Sequence, residues 1–75
     1  MELQPHQQRV VEERAELENK LGKLEAFLTG ERFDAVPDDE KGRLLLQHVL
    51  MESYALVLKQ RIAVWTAGFG VTGEA

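Results

Sequence analysis

Between Leu44 and Trp65, 15 of 22 residues are apolar or aromatic, and they are spread around every side of a helix. Leu44, His48, Met51, Ala55, Leu58, Ile62 and Trp65 recur at alternating spacings of four and three, the signature of a heptad seam. Leu45, Leu46, Val49, Leu50, Leu56, Val57 and Val64 lie outside that seam, and so does Tyr54. A helix packed on one neighbour needs an apolar stripe only about 100° wide. A single partner helix therefore cannot cover this segment. A second surface is implied, from another copy of the chain or from another protein.

One partner helix is supplied upstream. Val10, Arg14, Leu17, Leu21, Leu24 and Leu28 form a matching seam with one basic intruder, widened by Ala26 and Phe27. Pro5 suits a first helical turn, where its missing N–H would be unpaired in any case. Glu12, Glu16, Lys20 and Lys23 make the opposite, solvated face; Gly22 is expected on it, with close approach of another helix as the other reading. Thr29-Gly30 stops the helix, with glycine expected in the left-handed C′ conformation. Phe33 and Val36 are expected to fold over the open end of the hairpin. Asp38 or Asp39 opens the second helix with acidic residues suited to its dipole.

The expected architecture is all-α: an antiparallel two-helix hairpin over residues 1–67 that assembles into a helical oligomer. Its helices run from about 5 to 29 and 39 to 67, around a loop at 30–38. A glycine-rich tail, 68–75, is expected to be flexible, with docking of Phe69 and Val71 on a neighbouring subunit as the other possibility.

Size supports the oligomer. A chain of 75 residues buries only about 60% of its unfolded surface and is marginally stable alone. Small domains add disulfides, a metal or further subunits. There is no cysteine, and His6 and His48 lie far apart without a thiolate to help, so neither a disulfide nor a zinc staple is expected. Leu50, Val57, Leu58, Val64 and Trp65 are the expected oligomer interface. The absence of cysteine suits a reducing cytoplasm. No apolar run reaches the roughly 18 residues of a membrane span, and the polar start does not read as a signal peptide. The net charge of −4 argues against DNA or RNA as a partner.

Catalytic constellations are missing. Ser53, the sole serine, sits five residues from His48 on one helix, which turns their side chains apart. The glycines of the tail precede no helix and so form no phosphate loop. No enzyme, cofactor or metal is expected.

Polar residues near the seams suggest binding instead. Gln47, Tyr54 and Arg61, seven apart, form one line on the second helix, and Arg9, Glu13 and Lys20 form another on the first. A hairpin folded about residue 34 sets positions opposite when their numbers add to about 70. Arg9 and Glu13 then lie near Arg61 and Val57, and Lys20 near Gln47 or Leu50. One reading pairs Glu13 with Arg61 and gives Tyr54 a polar neighbour at the interface edge. The other makes Arg9, Arg14, Lys20, Tyr54 and Arg61 a ligand site, with cationic groups on phosphates and Tyr54 stacked on a base.

Gln8-Arg9-Val10, Glu13, Leu17, Lys20-Leu21, Lys23-Leu24 and Phe27 resemble the pattern of a group of small helical phage and prophage proteins. So do Leu45, Gln47, Met51, Tyr54, Leu58 and Arg61-Ile62. That group is related to a small protein of crAss-like phages, and the resemblance covers about residues 7–62. It implies a short helical hairpin acting in the bacterial cytoplasm, in a setting where small phage proteins often counter host immunity. A looser likeness, carried by the Gln47-to-Met51 run and a nearby arginine, is to compact helical oligomers that sequester cyclic-nucleotide signals of host CBASS defence.

Two functions follow as expectations. One is an oligomeric sponge that holds a small anionic, cyclic nucleotide without cleaving it. The other is a protein–protein interaction factor that lays its spare apolar face on a host or phage protein.

Overall fold

The computed structural model describes residues 3–67. Helix α1 spans Pro5–Leu28 and helix α2 spans Asp38–Ala67, joined through a 3₁₀ turn at Glu31–Ala35. The described residues are all helical or connecting, with no strand. The glycine-rich tail expected at 68–75 lies outside them.

The two seams meet. Leu17, Leu21, Leu24 and Leu28 on α1 are partly buried, as are Leu44, His48, Met51 and Ile62 on α2. Val10, Ala55 and Leu58 are buried, and Leu58, 1% exposed, is the best covered side chain. The molecule measures 49 × 22 × 16 Å. Its length is close to the roughly 45 Å of a 30-residue helix at 1.5 Å per residue, so it is a single layer of two helices. A two-helix layer has an inside seam and two outsides. On α2 the outside is the apolar one: Leu45, Leu46, Val49, Leu50, Leu56 and Val57 are each about half exposed.

Leu58 therefore corrects the expected oligomer interface. It belongs to the seam inside the hairpin and is closed to a second copy, whereas Leu50 (60% exposed) and Val57 (50%) face outward. Val64 and Trp65 are half-buried.

The turn departs from the expectation at Gly30. Gly30 has φ −95° and ψ 172°, extended rather than left-handed. Its smallness serves another purpose, because a Cβ there would stand 3.2 Å from the Ala26 carbonyl oxygen. Thr29 closes α1 instead: its hydroxyl donates to the Glu25 carbonyl at 3.0 Å and its N–H to the same oxygen at 3.1 Å. At the other end α2 begins at Asp38, and the Pro37 carbonyl accepts the Lys41 N–H at 2.9 Å. Asp38, Asp39 and Glu40 fill the first turn of α2, where the helix dipole favours them. Phe33 covers the open end as expected, edge-on to Phe27 (centroids 6.3 Å apart) with the Lys41 ammonium 5.3 Å above its ring.

Candidate functional site

The register of the hairpin decides which polar residues share a flank. Glu25 on α1 meets His48 on α2, with 2.9 Å between Oε2 and Nε2. Facing residue numbers thus add to about 73 rather than 70, a shift of nearly one helical turn. Lys20 then lies level with Ser53 and Tyr54 rather than with Gln47. Glu13 stays level with Gln60 and Arg61, but the expected ion pair is not made. The Arg61 guanidinium instead sits over the Trp65 ring, 5.9 Å from its centroid.

In an antiparallel pair the residues just before each seam position a share one edge, and those just after share the other. Lys20, Tyr54 and Arg61 all precede a seam position, so the register gathers three of the five expected ligand residues on one edge. Arg9 is exposed on the outer side of α1 next to that edge. Arg14 is not part of the group. It occupies the seam itself, 31% exposed, and donates from Nε to Glu18 Oε2 at 3.0 Å. Glu18 lies on the opposite edge, so Arg14 reaches away from Tyr54.

Beside Tyr54 the surface of α2 is hollowed into a groove of about 340 Å³ lined by Arg43, Leu46, Gln47, Leu50, Met51 and Tyr54. Its walls are almost wholly apolar. That volume is at the small end of the roughly 300–1,000 Å³ of ligand sites. Tyr54, 44% exposed, presents its ring at one end. At the other end Arg43 is held by Glu40 at 2.7 Å and Asp39 at 3.5 Å. Gln47 turns its amide to the Met51 sulfur at 3.6 Å. Arg43 and Leu46 were not foreseen. The signal was available, since Arg43, Leu46, Leu50 and Tyr54 follow helical spacing, but Arg43 lies before the apolar run that drew attention.

The second cluster is Glu25, His48 and Glu52, whose ligand-type atoms all lie within 4.8 Å of one another. The two carboxylates approach opposite nitrogens of one imidazole: Glu25 is 2.9 Å from Nε2 and Glu52 3.7 Å from Nδ1. One metal ion cannot occupy both sides of the ring, so the arrangement is that of a polar bridge from α1 to α2. It accounts for a histidine on an apolar seam.

A family comparison bears on these residues. The family model described as Sequestin matches residues 4–64. The chain belongs to the Sequestin family. The matched stretch takes in α1 and α2 as far as Val64 in this Sequestin chain, the whole groove and every expected ligand residue from Arg9 to Arg61. The family name denotes sequestration, a binding role. No curated protein and no solved structure matches the chain. Among the described residues, no helix of this Sequestin chain is long and apolar enough to cross a membrane.

Proposed function

We propose that the protein is an oligomeric sponge. It holds a small anionic nucleotide, a cyclic nucleotide used as a host immune signal, and does not cleave it. The reading sets it in the bacterial cytoplasm during phage infection, without cofactor or metal. The Sequestin match over residues 4–64 carries the reading. The edge bearing Lys20, Tyr54 and Arg61 supplies chemistry that fits it. A base stacks on Tyr54 and the apolar wall of the groove, which is worth about 1–3 kcal/mol per base in other proteins. Lys20 and Arg61 meet the phosphates, Arg61 as a planar fork and Lys20 as a point charge. Lys20 and Arg61 offer positive charge to the phosphates, and the three residues include no carboxylate or imidazole to activate a water, which supports binding without cleavage.

The test is native mass spectrometry of the purified protein with a panel of cyclic dinucleotides, cyclic trinucleotides and cyclic ADP-ribose isomers. The expected result is an oligomer that gains the intact mass of one panel member. A panel that leaves the mass unchanged sinks the ligand. The exposed apolar side of α2 favours one other reading, a protein–protein interaction factor. A monomer that binds no nucleotide but captures a host or phage protein would decide for it.

A further inference from the structure

The groove on α2 has two ends of unlike charge, and they set which way round a ligand lies in it. Lys20 and Arg61 share the edge of Tyr54, and among the described residues neither makes an ion pair. At the far end the Arg43 guanidinium is already neutralised, by Glu40 at 2.7 Å and Asp39 at 3.5 Å. Two carboxylates there repel a phosphate, while the free cations beside Tyr54 attract one. The charged part of a nucleotide therefore belongs at the Tyr54 end, and its neutral base reaches toward Arg43.

Gln47 stands where that base would lie. It is the one side-chain amide on the groove wall. Gln47 and Tyr54 are two turns apart, roughly 10 Å along the helix axis, which leaves room for a base over Leu50 and Met51. The Gln47 amide donates only to the Met51 sulfur, at 3.6 Å, and a thioether is a weak acceptor. Its oxygen and its second N–H are left for solvent or a ligand. The side chain is exposed and lies outside the inner seam, so its polarity is not needed to hold the hairpin.

We infer that Gln47 reads the base and selects adenine over guanine. A primary amide sets one acceptor beside a donor. Adenine offers the complement on its Hoogsteen edge, an N6–H donor beside the N7 acceptor. It does so again on its Watson–Crick edge, with N6–H beside N1. Guanine presents two acceptors, O6 and N7, on the first of these edges, and the amide oxygen finds no donor there. Gln47 is thus a specificity-determining residue, a part it can play only if the ligand is a nucleotide, as proposed above.

The test is calorimetric titration with cyclic di-AMP and cyclic di-GMP, read as the ratio of the two affinities. The unmodified protein is expected to bind cyclic di-AMP roughly 5- to 100-fold more tightly, the range that a bidentate amide–adenine pair gives elsewhere. Gln47→Leu should bring the ratio close to one without lowering the melting temperature. Gln47→Glu keeps the shape but has no donor for adenine N7, and its carboxylate accepts from guanine N1–H and N2–H. It should reverse the preference, and its added charge weakens both ligands alike and so leaves the ratio readable. Equal binding by the unmodified protein, or a guanine preference, overturns the inference while the nucleotide reading stands. So does a ratio that neither substitution moves. If neither dinucleotide binds, the nucleotide reading falls and the role of Gln47 with it.

Discussion

At the residue scale, Arg61 separates ligand chemistry from stability. Its guanidinium is exposed and lies 5.9 Å over Trp65, a contact worth about 0.5–1 kcal/mol at such a site. Arg61→Ala should therefore lower the melting temperature only slightly. If Arg61 grips a phosphate, the same change should weaken nucleotide binding at least about tenfold, since charged hydrogen bonds are worth about 1.5–3 kcal/mol. Calorimetric titration beside a thermal melt reads both, and a large loss of stability with unchanged binding would remove Arg61 from the site. Tyr54→Ala should act likewise through lost stacking, with little cost to the hairpin because the ring is outside the seam. The site was only partly legible in the sequence. Periodicity alone placed Gln47, Tyr54 and Arg61 in one line, because a seven-residue spacing fixes a helix face. It could not tell that Arg14 reaches to Glu18, nor that Glu25 meets His48, because both depend on rotamer and register. Register in turn depends on how many residues the turn consumes, and a 3₁₀ turn is not written in a heptad.

At the element scale, the helices were legible because two seams in strict four-three spacing leave little choice of partner or direction. What was misjudged was local backbone detail at Gly30, where competing caps differ by little energy. Leu58, taken for an outer contact, is the centre of the inner seam. Leu58→Ala should cost about 2–5 kcal/mol, enough to unfold so small a unit, measured by urea denaturation. The helix interiors also hold two removable weaknesses. A Cβ added at Gly22 or at Gly42 would meet nothing within 4 Å. Gly22→Ala and Gly42→Ala should each raise stability by about 0.5–1 kcal/mol through lower chain entropy and better helix propensity. A loss of stability at Gly22 would mean that another surface packs against the outer side of α1. His48 is the opposite case, a polar residue on a seam. Its partners Glu25 and Glu52 are each about half exposed at the side chain, 49% and 55%, so they can return to water. His48→Leu should be neutral or stabilising in the same assay.

At the scale of the whole molecule, the ledger of the single hairpin stops short because its most apolar face is open. Leu46, Val49, Leu50, Leu56 and Val57 are each at least 50% exposed. Fully burying such a side chain is worth about 1.5–3 kcal/mol, so covering the exposed halves contributes roughly 4–8 kcal/mol per copy. Two copies together gain about twice that, which is comparable with or above the 4–15 kcal/mol that association costs in lost freedom. If a second copy covers the face, folding and association are one equilibrium, and stability depends on protein concentration. Each tenfold increase adds about 1.4 kcal/mol, which for a unit of some 150 residues raises the melting temperature by roughly 3–6 °C. Thermal melts followed by circular dichroism over a hundredfold range of concentration would show it. Because the contact is apolar, the rise should persist in high salt, where a surface held by ion pairs would be screened. Val49→Asp should both lower the melting temperature and abolish its concentration dependence, since it sets a charge in the middle of the covered face. A melting temperature independent of concentration in the unmodified protein would mean that the hairpin is stable alone and that its outer face is kept for a partner of another kind.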